Sequence, residues 1–285
     1  MKNGTMIEPK QNALLCLATD GFHKVSYTDW GSLDSQKIAI CVHGVSRNGR
    51  DFDYLARALA ADGYRVICPD MPGRGKSDWL PLALDYNMPL MATILTTFIN
   101  VFPSDELLWI GTSMGGLLGM LMASRANTPI KKLILNDVGP HLNAEPLKKI
   151  VQYLSLMPTF KTRDLAKHFL SQILAPFGVK TDEHLDHLTT YSFFVNDQGE
   201  YQLAYDPKIL STFQAEEANL WPFWEPIECP ILILRGKNSE ILTKETAMKM
   251  LEKPHVALAE FEGVAHAPAL MDDEQIMTII QWLKK

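Results

Sequence analysis

Short apolar runs, each closed by a glycine, proline, asparagine, histidine–glycine or arginine–glycine step, recur along this chain at residues 38–42, 65–68, 107–110, 132–135 and 231–234. Ile, Leu, Val and Cys fill them almost without a break, which predicts parallel strands covered on both faces rather than a half-exposed sheet. A further strand-like run lies at 256–261. Between the runs, apolar residues return at helical spacing over 52–61, 90–101, 114–126, 244–251 and 272–282. Alternation of strand and helix predicts a doubly wound α/β sheet. Near the start, 14–18 and 24–30 flank the turn dipeptide Asp20-Gly21 and predict an antiparallel hairpin at the sheet's edge.

The alternation stops between Pro140 and Pro226. That stretch holds helical patterns at 146–156, 163–174 and 182–190 but no run suited to a parallel strand. A mainly helical block inserted between two strands of one sheet is the natural reading: a core of residues 1–140 and 226–285, and a cap over 141–225. Near its end Trp221, Phe223 and Trp224 alternate with Pro222 and Pro226. These aromatics are expected either to wall a substrate pocket or to form a packed centre within the cap.

Composition narrows the classes. A chain of 285 residues, 47% hydrophobic and 21% charged, has the make-up of a globular protein able to bury its own core. Its net charge of −6 and lack of basic runs argue against a nucleic-acid surface. The apolar stretches at 13–18 and 117–123 are too short to span a membrane, and residues 1–12 lack the order of a signal peptide. Cys16, Cys41, Cys68 and Cys229 are too scattered for a disulfide framework or a zinc site. A cytoplasmic protein is the expectation.

The chemistry concentrates at Gly111-Thr112-Ser113-Met114-Gly115-Gly116, which follows one predicted strand and opens a helix. In a G-x-S-x-G turn the serine sits at a sharp bend, and its neighbours must be small for strand and helix to approach. The helix N-terminus behind Ser113 then offers the Met114 N–H to a developing oxyanion. A serine hydroxyl needs a base. His266, in a small-residue loop between a predicted strand and the last helix, is the expected base; His255 precedes that strand and reads as a surface or packing residue. Beyond strand 231–234, Ser239 occupies a position where an orienting aspartate is common, so Glu240 is the expected acid and Asp137, after strand 132–135, the alternative. In Cys41-Val42-His43-Gly44-Val45-Ser46 the Val45 N–H is the expected second oxyanion donor, with His43 holding the loop. Arg47, Asn48 and Arg50 follow; their direction is open at this point.

Two other patterns are set aside. Gly73-Arg74-Gly75-Lys76-Ser77 ends like a phosphate-binding loop, but Asp70 stands where that motif needs glycine. The cluster Glu183, His184, Asp186, His187 reads as a solvated helix face rather than a metal site.

Together with Asp70-Met71-Pro72-Gly73-Arg74-Gly75-Lys76-Ser77-Asp78, the motifs around His43, Ser113 and His266 resemble the α/β-hydrolase superfamily, from residue 38 to the end. The resemblance implies a mostly parallel sheet of about eight strands, a helical cap, and a Ser–acid–His triad with no cofactor and no metal. It implies a serine hydrolase acting on a small carboxylic ester or lactone through an acyl-enzyme. Cleavage of a carbon–carbon bond in a vinylogous diketone, or a catalytically silent ligand receptor on the same fold, are its alternatives.

Overall fold

A computed structural model of the chain describes residues 8–213 and 215–285. Eight strands among the described residues form one sheet: β1 (Lys10–Leu17), β2 (Phe22–Trp30), β3 (Ile38–Val42), β4 (Arg65–Pro69), β5 (Leu107–Thr112), β6 (Ile130–Asn136), β7 (Ile231–Gly236) and β8 (Val256–Phe261). Their spatial order is β1-β2-β4-β3-β5-β6-β7-β8. Pairing is antiparallel for β1 with β2 and for β2 with β4, and parallel from there on. The expected edge hairpin is present, and β1 begins four residues earlier than the apolar pattern indicated. Its first positions are polar and solvent-facing, so hydrogen bonding to β2 extends beyond the burial signal.

The helices packed against the sheet are α1 (Asp53–Ala61), α2 (Met88–Val101), α3 (Met114–Ala123), α8 (Lys244–Met250) and α9 (Asp273–Leu283), with α4 to α7 in the insertion described below. In β3, Ile38, Ile40 and Val42 enter one core while Ala39 and Cys41 enter the other. The period of two is therefore present, and burial of both faces hides it as a continuous apolar run.

Between β6 and β7 the chain leaves the sheet. It forms α4 (Ala144–Leu154), α5 (Arg163–Leu174), α6 (Asp182–Ser192) and the single turn α7 (Trp221–Trp224). A small antiparallel sheet of Thr159–Phe160, Tyr201–Leu203 and Phe193–Val195 accompanies them. The excursion starts and ends at one place. His141–Leu142 pairs with Ala218–Asn219, and the Leu220 N–H donates to Pro140 O at 2.7 Å.

The tightest passage in the fold is where α3 crosses the C-terminal ends of β3 and β5. A Cβ on Gly115 would lie 1.9 Å from Val42 O, and one on Gly111 2.2 Å from Gly115 O. Both obstacles are backbone, which cannot rotate away as a side chain can. Gly115→Ala is therefore expected to lose about 3 kcal/mol or more of stability. In thermal unfolding followed by circular dichroism that loss appears as a Tm lowered by roughly 5–10 °C.

Candidate active site

β5 turns into α3 through one residue, Ser113, whose backbone lies at φ 50°, ψ −113°. A side chain in that region is strained and persists only where its surroundings over-determine it. Here the Ser113 N–H donates to Asn136 O (3.0 Å), and Ser113 O accepts from Gly116 N–H and Leu117 N–H (2.9 and 3.0 Å). The side chain is thereby held at the C-terminal end of the sheet.

His266 lies on the loop between β8 and α9. Its Nε2 is 3.0 Å from Ser113 Oγ, and its Nδ1 is 2.7 Å from Asp137 Oδ2. An ionised carboxylate can only accept, so the imidazole carries its proton on Nδ1 and presents the Nε2 lone pair to the serine hydroxyl. Three segments fix the loop. Ala265 N–H donates to Pro176 O, Asn238 N–H to Val264 O, and Asn136 Nδ2 to Pro268 O. The other Asn136 amide hydrogen goes to Thr112 Oγ1, so one buried side chain ties the serine turn to the histidine loop.

The carboxylate beside His266 corrects the expectation. Glu240 faces solvent, 62% exposed, and pairs with Lys149 of α4 at 2.6 Å. Asp137, with no exposed surface, occupies the position at Nδ1. It directly follows β6 with a left-handed backbone (φ 57°), which aims its side chain across the end of the sheet toward β7. Gly236 N–H donates to its Oδ1 (3.0 Å) and Ser239 Oγ to its Oδ2 (2.5 Å). Ser239 serves as a donor to the carboxylate supplied by the neighbouring strand.

The loop after β3 is braced from behind. Met71 N–H donates to His43 Nε2 (2.9 Å), which leaves the proton on Nδ1 to be given to Gly44 O (2.7 Å). Burial pushes the His43 imidazole down to about 3, so the ring stays neutral in this structural role. Arg74 Nε donates to the next carbonyl, Val45 O (2.7 Å). With both carbonyls held, the peptide between Gly44 and Val45 is fixed beside Ser113. On the far side, Met114 is the first residue of α3, whose opening N–H groups have no partner within the helix. The phosphate-loop look-alike belongs to this brace: Asp70 accepts from Gly49 N–H and Lys76 N–H, and burial raises its carboxyl to about 6.

Two cavities meet at Ser113. One, shared with His266, is walled by Leu170, Ile173, Leu174 and Phe177 from the insertion and by Arg47 from the loop after β3. The second, on the Met114 side, is walled by Met88, Met91, Leu117, Leu142 and Phe213. Trp221, Phe223 and Trp224 line neither, which overturns the pocket-wall reading of that cluster. Trp224 is 1% exposed in the core, Phe223 faces a groove between α2 and α3, and Trp221 lies under Lys249. The turn they form carries the chain back toward β7, so they pack at the root of the insertion rather than over the serine. Arg47, left undecided by the sequence, reaches the cavity, as do Tyr153 and Tyr205. Nothing in their local patterns marks them, since α4 of the insertion brings Tyr153 there and an isolated bridge to Arg74 brings Tyr205. The histidines of α6 pack around Tyr54, and Asp186 pairs with Lys167 and Arg163.

A family model described as alpha/beta hydrolase fold matches residues 39–272. A 3-hydroxybutyrate-oligomer hydrolase of Cupriavidus necator is 38% identical over 281 residues, covering 94% of this chain and 95% of that protein. Among solved structures, a Rickettsia typhi protein superimposes with a TM-score of 0.91 at 36% identity, covering 97% of this chain and 99% of its own. An alpha/beta hydrolase from Novosphingobium aromaticivorans gives 0.87 at 30%, covering 98% and 99%.

Three outcomes follow from the geometry. Asp137→Asn is expected to lower kcat on p-nitrophenyl butyrate by about 10⁴-fold, because an amide in place of the carboxylate favours the wrong histidine tautomer. Glu240→Ala should leave kcat within about twofold, as expected for loss of an exposed ion pair. Nitrogen-15 NMR of labelled protein is expected to show His43 as a neutral Nδ1–H imidazole that does not titrate between about pH 5 and 8.

Proposed function

Because the chain belongs to the α/β-hydrolase family and is a hydrolase of the carboxylic-ester type, we propose that it cleaves short esters of hydroxy acids through an acyl-enzyme on Ser113. The observation that carries this reading is His266, within hydrogen-bond reach of Ser113 Oγ on one side and Asp137 on the other. Ser113 Oγ attacks the ester carbonyl carbon as its proton passes to His266 Nε2, and Asp137 stabilises the imidazolium that forms. The oxyanion is received by the Val45 and Met114 N–H groups, each contributing about 3 kcal/mol. Collapse breaks the carbon–oxygen bond, and the departing alkoxide takes the proton from His266. Water, deprotonated by the same nitrogen, then attacks the acyl-enzyme. It releases the carboxylic acid and returns the proton to Ser113.

The substrate class is drawn from two sides. The Cupriavidus necator relative is named for oligomers of 3-hydroxybutyrate, linear esters of a short hydroxy acid. Both cavities at Ser113 have mainly apolar walls with few polar groups, which suits short aliphatic units. A lactone would open by the same attack. In this reading residues 141–225 act as a cap over the core formed by 1–140 and 226–285, since α4, α5 and α6 supply the roof of the His266 cavity. The free thiols of Cys16, Cys41, Cys68 and Cys229 are in keeping with a cytoplasmic setting.

Hydrolysis of p-nitrophenyl esters of graded acyl length tests the reading. Wild type is expected to turn over the short acyl chains and to decline as the chain outgrows the cavity. Ser113→Ala, checked for folding, should lose at least about 10⁴-fold in kcat. Wild-type rates in folded Ser113→Ala would contradict the mechanism.

A further inference from the structure

The two cavities that meet at Ser113 differ in which catalytic group they contain. His266 lines one and is absent from the lining of the other. A departing alkoxide must lie within hydrogen-bond reach of His266 Nε2 to be protonated. The leaving alcohol therefore occupies the His266 cavity, and the acyl group the cavity on the Met114 side.

Among the described residues lining the His266 cavity, Arg47 is the one Lys or Arg and Asp51 the one Asp or Glu. It leaves the backbone beside the nucleophile: a Cβ placed on Gly44 would lie 3.8 Å from Ser113 Cβ and 3.9 Å from Arg47 Cγ. Its guanidinium is locked in place. Nε and Nη2 donate to the two Asp51 oxygens (2.8 and 2.6 Å), and Nη1 donates to Ser192 Oγ of α6 (2.8 Å). A guanidinium has five N–H groups, so one on Nη1 and one on Nη2 remain, a pair suited to a carboxylate. Tyr153, from α4, borders the same space, and among the described residues its hydroxyl has no hydrogen-bond partner. The Met114-side cavity also holds one arginine and one acid, Arg74 and Glu216, but it lies away from His266; its Arg74 donates to Val45 O and Pro72 O, with Met114 Sδ 3.8 Å from Nη2.

From this arrangement we infer that Arg47 is a specificity residue that receives a free carboxylate carried by the leaving alcohol. The enzyme then acts on the ester bond next to the carboxylate end of a hydroxy-acid oligoester. Each cut releases one hydroxycarboxylate and leaves the rest of the chain on Ser113 as an uncharged acyl group, facing away from Arg47. Water discharges that acyl group with a new carboxylate at its end, so the shortened oligomer is again a substrate. The inference rests on the ester-hydrolase reading and adds the polarity and charge of the substrate.

The test compares two esters that differ in one group: 3-(butanoyloxy)butanoate and its neutral counterpart 3-(butanoyloxy)butanamide. Wild type is expected to prefer the carboxylate by about tenfold or more in kcat/KM, the scale of a charge-assisted hydrogen-bonded pair. In Arg47→Gln the ratio of the two should fall to within about twofold of one, and Arg47→Lys, which keeps the charge without the fork, should restore part of it. The wild-type comparison alone decides the matter if a variant fails to fold. Equal turnover of both esters by wild type, or a preference that survives in folded Arg47→Gln, overturns the inference and leaves the ester-hydrolase reading standing. Turnover of neither ester, together with inert p-nitrophenyl esters, overturns both.

Discussion

A carboxylate with no exposed surface must find hydrogen-bond donors inside the protein or lose its charge. At Asp137 three donors meet that demand: Gly236 N–H at the end of β7, Ser239 Oγ in the loop beyond it, and Nδ1–H of His266. The Asp137 N–H in turn donates to Leu234 O. One side chain thus closes the end of the sheet between β6 and β7 and fixes the imidazole against the serine. Asn136, beside it and equally buried, ties the serine turn to the histidine loop. The register of β5, β6 and β7 therefore sets the site as much as any loop does.

The same economy of anchoring holds at the loop after β3. His43 and Arg74 grip successive carbonyls from below, while the residues that follow are tied to the insertion above. Arg47 donates to Ser192 Oγ, Asn48 Nδ2 to Tyr191 O, and the Arg50 carbonyl lies 3.0 Å from His187 Nε2. The wall of the His266 cavity is thereby continuous with α6. A change in the pose of α6 would therefore reach Arg47 before it reached the nucleophile.

The inner parallel strands β3 to β7 were legible because burial on both faces turns each into a nearly unbroken apolar run, and the serine turn because only small residues pass where α3 crosses β3. His266 was legible from its loop and its place after the nucleophile. The acid was not. The apolar pattern locates β6 and β7 but not which of two adjacent strand ends points its side chain at the imidazole. That choice depends on the left-handed backbone of Asp137, and Ser239 gives no local sign of supporting a neighbour's carboxylate. The aromatic cluster misled for a related reason. Trp221, Phe223 and Trp224 are large and close in sequence to the insertion's end, yet the strand pairing of 141–142 with 218–219 roots them away from the cavity. Residues that do line it, such as Tyr153 and Phe177, come from ordinary amphipathic stretches whose facing is set by tertiary packing.

If Asp137, Ser113 and His266 act as one unit, loss of the aspartate or the histidine must silence the serine. The most direct measurement is the rate at which a p-nitrophenyl phosphonate modifies the protein, followed by intact mass and peptide mapping. A single adduct is expected, on Ser113, whose formation slows by orders of magnitude in Asp137→Asn and in His266→Ala but proceeds at the wild-type rate in Glu240→Ala. An adduct on another residue, or undiminished labelling of Ser113 in folded Asp137→Asn, would contradict it.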